Sequence, residues 1–278
     1  MSYSTLMVQL ELGRSNEAPL GVAHALAKRL HVPVTGIASA QPIQTAVMAD
    51  GFYAGDVVRE DSDWIEQEAK VAQEEFRKAL DGHPEGLDWS MSVTHQALSE
   101  RIASAAATAD LLVVGADQKG DGLSHPSRRV DIDDLVMQTG RPVLVVPHGV
   151  KHFDFRCALV AWKNSREARR ALTDALPLLR LMDKVVIAQI ADATVQGVAQ
   201  AGLDKMVAWL ARHGVTAVPR LVLAAGYDGD RLLTIAEEAE ADLIVAGAYG
   251  HSRFREWILG GVTRELLHHG GRCLLLSH

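Results

Sequence analysis

Short apolar runs alternate along this chain with segments whose apolar residues recur every three or four positions. In the second half the runs lie at 158–162, 185–190, 217–223, 243–246 and 273–276. Runs this short, bounded by turn formers, read as strands rather than buried helices. Helical patterning fills the intervals at 165–181, 198–213, 229–240 and 262–269. Ser165 stands where an N-cap belongs, Glu167 and Ala168 suit the first turn, and Gly214 closes the second helix. The first half follows suit, with strands predicted at 6–10, 34–38, 90–96, 111–114 and 143–146 and its longest helix at 63–80. Strands and helices in alternation imply an α/β fold whose parallel sheet is covered on both faces.

The pattern occurs twice. Asp110-Leu-Leu-Val-Val-Gly115 returns as Asp242-Leu-Ile-Val-Ala-Gly247, an offset of 132. Gly140-Arg141-Pro142-Val143-Leu144-Val145 returns as Gly271-Arg272-Cys273-Leu274-Leu275-Leu276, an offset of 131. Ser15-Asn16-Glu17-Ala18 returns as Ser165-Arg166-Glu167-Ala168, an offset of 150. The same order at a stable offset argues for a duplicated domain. The change in offset gives the first copy about 18 extra residues, and 42–61, rich in small, polar and glycine residues, is where they fit. The boundary falls near Pro147-His-Gly-Val-Lys151, so the predicted domains are 1–149 and 150–278.

Within the second copy, 241–263 is the stretch with candidate chemistry. A buried strand ends at Gly247, Gly250 follows, and Gly260 and Gly261 lead through Val262 and Thr263 into a helix. Glycines let backbone N–H groups approach a bound group, and a helix start adds free donors and the positive end of its dipole. Together they describe a phosphate cradle, and taken alone they equally describe tight turns. Ligands of parallel sheets bind beyond the carboxyl ends of the strands, where strand order reverses. The loop after Val245 is such an end.

Composition narrows the setting. The chain has 278 residues, 48% apolar and 23% charged, with aromatics at 5%, so its cores are predicted to be Val, Leu, Ile and Ala. A net charge of −7 gives no support to a nucleic-acid surface. No apolar run is long enough to cross a bilayer and the N-terminus lacks a signal-peptide pattern. Two cysteines, Cys157 and Cys273, are too few for a disulfide framework. These features predict a soluble, cytoplasmic protein.

Gly247-x-x-Gly250, nine residues, then Gly260 resembles the nucleotide-binding signature of the universal stress protein family. The strand end Ala161-Trp162-x-x-Ser165 and the closing strand Arg141-Pro-Val-Leu-Val-Val-Pro147 are similar to that family too. The resemblance covers nearly the whole chain, as a tandem member. It implies two copies of a five-stranded parallel sheet in a three-layer αβα sandwich, Rossmann-like and of the adenine-nucleotide α-hydrolase-like kind. It also implies ATP, with Mg, as ligand, a role in stress survival, and pairing of the copies through 143–146 and 273–276. A homodimer of the whole chain is compatible with it. The site residues it implies are Ala161, Trp162, Asn164, Ser165, Gly247, Gly250, His251, Ser252, Gly260, Gly261, Val262 and Thr263.

The chain departs from the family pattern at named positions. Gly261 stands where a Ser or Thr hydroxyl usually meets phosphate oxygens, leaving Thr263 as the hydroxyl at the helix start. Lys163 occupies the place of an acidic residue common near the adenine; it either approaches phosphate or points to solvent. Applied to the first copy, the offset of 132 aligns Gly247 with Gly115, Gly250 with Gln118, Gly260 and Gly261 with Arg128 and Arg129, and Thr263 with Asp131. Side chains thus replace bare backbone, and a carboxylate stands where phosphate oxygens would lie, which is unfavourable by sign. The first copy is predicted to have lost nucleotide binding and to serve as a pairing partner.

Other constellations have simpler readings. Neither the twelve histidines nor the His268-His269 pair near Cys273 has the spacing of a structural zinc site. Asp131, Asp133 and Asp134 are predicted to be helix N-terminal charges rather than a cation site, and Trp162 is either an adenine wall or core. Three functions remain open: an ATP-binding stress protein, a slow ATP hydrolase, and a scaffold with a decayed site. An enzyme needs a positioned base or a metal-binding carboxylate. His251 is the one obvious base near the glycine loop, so binding is favoured over catalysis.

Overall fold

The computed structural model describes residues 2–43, 53–116, 129–224, 227–248, 261–269 and 271–278. The first half supplies β1 (Leu6–Leu10), α1 (Glu17–Leu30), β2 (Val34–Ala40), α2 (Tyr53–Ala79) and β3 (Leu87–Val93). It continues with α3 (Leu98–Ala105), β4 (Leu111–Gly115), α4 (Ile132–Thr139) and β5 (Val143–Val146). The second half supplies β6 (Cys157–Ala161), α5 (Arg166–Leu179), β7 (Lys184–Ala191), α6 (Gln196–Arg212) and β8 (Ala217–Leu223). It closes with α7 (Asp228–Glu238), β9 (Leu243–Gly247), α8 (Gly261–His269) and β10 (Cys273–Ser277).

Among the described residues, ten strands join one sheet in the order β3-β2-β1-β4-β5-β10-β9-β6-β7-β8. Each half is parallel within itself and uses the same order, with its first and fourth strands adjacent. The halves meet at β5 and β10, which run antiparallel with Val145 opposite Leu274, Leu144 opposite Leu275 and Val143 opposite Leu276. The fold is mixed α/β with a mostly parallel sheet, as the alternating pattern implied. Among the described residues no helix is long and apolar enough to cross a membrane.

Because strand side chains alternate between faces, the sheet has a core on each side. Leu111, Val113 and Leu144 point to one, under α1, α2, α5 and α6. Leu112, Val114, Val143 and Val145 point to the other, under α3, α4, α7 and α8. Both cores run across the two halves without interruption. The cysteines are free and buried, and burial raises both thiols, that of Cys273 to about 12. They fill space and are poor nucleophiles at neutral pH.

Two predicted elements differ. The third strand is Leu87–Val93 rather than 90–96, because Trp89 fits over Gly36: a Cβ on that glycine would lie 2.7 Å from the indole. Trp89 also packs on Phe76 of α2, ring centroids 5.7 Å apart, and so fixes the register. The long helix starts at Tyr53, ten residues before the predicted start at 63. Part of the extra segment is therefore helix, while 44–52 lie outside the described residues.

α2 closes over the loop that follows β1. Trp64 meets Gly13, whose backbone N–H donates to Glu68 at 3.1 Å, and Asn16 Nδ2 donates to Glu75 at 2.9 Å. Asp61, buried, accepts from the Ile43 N–H at 2.8 Å. Asp131 caps α4 by accepting from the Asp134 N–H at 3.0 Å, the helix-terminal role predicted for it. Burial first, and Asp131 beside it, raise the Asp134 carboxyl.

Candidate functional site

The two central strands of the second half, β6 and β9, end side by side. β7 and β8 continue the sheet to one side of them and β10 to the other. Chain order reverses between β6 and β9, so the helices leaving their carboxyl ends depart to opposite faces and leave a crevice. A cavity of about 220 Å³ fills it. Ala161, Trp162 and Lys163 come from the end of β6, Ala188 and Ile190 from β7, and Ala246 and Gly247 from β9. Helix starts complete the wall: Ser165 and Ala168 of α5, Asp228 and Leu232 of α7, and Gly261, Val262 and Thr263 of α8. Three helix N-termini converging on one cavity give it a positive backbone field suited to an anion.

Seven of the residues predicted from the sequence line this cavity: Ala161, Trp162, Ser165, Gly247, Gly261, Val262 and Thr263. Asn164 does not; it is exposed, its side-chain oxygen 3.5 Å from Arg169 Nη1. Gly250, His251, Ser252 and Gly260 lie outside the described residues, as do Gln118 and Arg128 of the first half. Lys163 lines the cavity while remaining exposed, and it is the one cation among the described lining residues. Trp162 is 6% exposed, and it belongs to the core while also lining the cavity. Thr263, 5% exposed, places the only hydroxyl of the described first turn of α8 at the cavity.

Two glycines have packing reasons that their spacing did not reveal. A Cβ on Gly247 would stand 2.5 Å from the backbone nitrogen of Ala168 and 2.5 Å from the carbonyl carbon of Glu167. The end of β9 thus lies directly against the first turn of α5, and glycine is needed there before any ligand arrives. A Cβ on Gly261 would collide with the Tyr227 hydroxyl. Tyr227, just before α7, therefore occupies the space that a Ser or Thr at position 261 would require.

The first turn of α5 is tied down as predicted. Ser165 is its N-cap, in extended conformation, and its hydroxyl accepts from the Ala168 N–H at 3.2 Å. A backbone hydrogen bond holds the buried Glu167 carboxyl below the usual range against the opposing effect of burial; Ser165 and Arg166 add to this. Its counterpart α1 starts differently. Asn16 precedes it without a side-chain cap and is instead bonded to Glu11, Arg14 and Glu75. Ser165→Ala is expected to cost about 1 kcal/mol in urea unfolding, and Ser15→Ala less than about 0.5 kcal/mol. Equal losses at the two serines would contradict this asymmetry.

Four lining residues, Ala188, Ile190, Asp228 and Leu232, carried no sequence signal. The ends of β7 and α7 reach the cavity only through the sheet order. Extending each predicted strand to its carboxyl end and collecting the residues there would have found the first two.

Comparison with known proteins fits this geometry. Residues 155–271 match the model of the Universal stress protein family. Among solved structures, a universal stress protein from Archaeoglobus fulgidus DSM 4304 is similar, with TM-score 0.72 and 15% identity, covering 98% of this chain and 97% of that one. A functionally unknown protein from Pseudomonas aeruginosa PAO1 is similar at TM-score 0.63 and 12% identity, covering 99% and 92%. A universal stress protein from Archaeoglobus fulgidus solved in complex with dAMP is similar at TM-score 0.34 and 17% identity, covering 52% and 99%. No curated protein matches the sequence. Those first two structures carry the fold over the full length, and the match to the universal stress protein family model, residues 155–271, falls on the half that holds the cavity.

Proposed function

We propose that the second half, 150–278, binds an adenine nucleotide, ATP with its Mg, and that the first half, 1–149, serves as its paired partner in a stress-response protein. The observation that carries this reading is the position of the cavity at the strand-order reversal between β6 and β9. Its apolar side, with Trp162, Ala188, Ile190 and Leu232, suits a base. Lys163, Thr263 and the start of α8, which also line the cavity, suit phosphate oxygens, with Asp228 the one carboxylate among the described lining residues. Thr263 is the hydroxyl that takes the place of the one missing at Gly261. Gly250, His251, Ser252 and Gly260, which fall between β9 and α8 in the sequence, belong to the same proposed site. Asn164 supports the site from outside the wall, next to the Ser165 cap.

The first half lacks matching support. Around the loop after β1, α2 brings up Glu68 and Glu75, carboxylates that oppose a phosphate chain. Asp131 is committed to capping α4.

Binding is tested by the thermal shift of the full chain with ATP and Mg. A rise in Tm that grows with ATP concentration is expected. Ile190→Trp, which fills the cavity from a half-buried position, is expected to remove it. No shift at millimolar ATP, or an equal shift in Ile190→Trp, would overturn the assignment.

A further inference from the structure

A second cavity lies away from the first, where the starts of β4 and β5 face the flank of α5. It measures about 590 Å³ and both halves build it. Asp110 and Arg141 come from the first half; Arg166, Arg169, Arg170 and Asp174 come from the second. Helix geometry explains the gathering, since positions 166, 169, 170 and 174 recur three or four apart and share one flank. Ser165 and Ala168 line the other cavity, so α5 is a wall common to both.

Four guanidinium groups face two carboxylates, a formal excess of two positive charges in a chain of net −7. The carboxylates are already engaged. Asp110 accepts from the Ser4 and Thr5 N–H groups at 2.7 and 3.2 Å, and Asp174 accepts from Arg170 Nε at 2.9 Å. Arg166 reaches Glu167 at 3.5 Å, outside the cavity wall. Arg141 donates to the Ala107 carbonyl at 2.9 Å, which leaves its charge uncompensated. Among the described residues neither Arg141 nor Arg169 makes an ion pair. The floor is rigid, because the buried Tyr3 hydroxyl donates to the Asp174 carbonyl at 2.6 Å across the two halves.

A guanidinium presents a planar fork of donors that matches phosphate oxygens, and several of them around one roomy cavity suit several phosphates. We propose that this groove binds a small polyphosphate, held between Arg141 of the first half and Arg166 and Arg169 of the second. The phosphate chain is either free or part of a nucleotide. Since the ligand touches both halves, its binding stabilises their pairing.

The test is calorimetric titration of the full chain with inorganic tripolyphosphate at low salt, with orthophosphate and ATP in parallel. Tripolyphosphate is expected to bind, more weakly as salt rises, and Arg141→Gln with Arg169→Gln is expected to weaken it about tenfold or more. Arg169 is exposed and Arg141 is half-buried, with one bond to the Ala107 carbonyl, so an unchanged Tm of the unliganded double variant is the control for folding, and Arg141→Lys with Arg169→Lys is expected to recover only part of the affinity. Ile190→Trp is expected to leave tripolyphosphate binding intact, which separates this site from the nucleotide cavity. ATP binding in Ile190→Trp that is lost with the arginine pair would assign the chain to a nucleotide; tripolyphosphate binding alone would assign it to free polyphosphate. Loss in Ile190→Trp with no loss in the arginine pair, orthophosphate binding as tightly as tripolyphosphate, or no heat at all would each overturn the proposal.

Discussion

Gly247→Ala is expected to destabilise the protein by about 3 kcal/mol or more, whereas Gly115→Ala, at the matching position of the first half, is expected to change stability by less than about 1 kcal/mol. Both glycines end a fourth strand, and the sequence aligns them. Their surroundings differ. A methyl group at 247 would stand 2.5 Å from backbone atoms of Glu167 and Ala168, and backbone cannot turn aside as a long side chain can. Relief requires β9 and the first turn of α5 to separate, which strains the Ser165 cap and reshapes the cavity. At 115 the nearest atoms, on His148 and Pro19, lie 3.8 and 3.9 Å away, ordinary contact that leaves room for a methyl. Replacing glycine there also removes unfolded-state freedom, which favours the fold. Urea unfolding of the two variants checks the contrast, and the ATP-dependent Tm shift is expected to vanish only in Gly247→Ala. Similar losses at both positions would mean that the close approach at 247 is relieved cheaply.

This contrast marks how far the sequence could be read. Strand positions were legible because buried parallel strands write themselves as apolar runs: β1 and β5, buried throughout, coincide with the predicted limits, as does the more exposed edge strand β8. The start of β3 was not, since Leu87, Asp88 and Trp89 form no apolar run and become strand only because Trp89 lies over Gly36. The repeat placed Gly247 and Gly115 in one column, yet it cannot tell a glycine that must be bare from one that merely is. That difference depends on how closely α5 and α1 approach the ends of β9 and β4.

The site was legible along the chain and illegible across it. Ala161, Trp162, Ser165, Gly247 and Gly261 stand at ends of elements, where ligands of parallel sheets collect, and the cavity contains them all. Ile190, Leu232 and Asp228 join them through sheet order, which periodicity does not encode. The arginine groove is further removed still. Arg141 and Arg169 belong to different halves, and the antiparallel meeting of β5 and β10 brings the starts of β4 and β5 toward the flank of α5.

That meeting carries the second large effect. Leu144→Ala and Leu275→Ala are each expected to cost about 2–5 kcal/mol. Both side chains are 0% exposed, they face each other across the β5–β10 pair, and they belong to the same core. The double variant is expected to cost less than the two singles together, because the first truncation already opens the contact that the second would remove. Since this core passes from α1 and α2 to α5 and α6 without a break, either single variant is expected to loosen both halves. Hydrogen exchange reads this directly: amides of β1 and β6 should lose protection together in Leu144→Ala. If β1 loosens while β6 keeps its protection, the halves fold as independent units and the strand pair between them contributes packing without coupling.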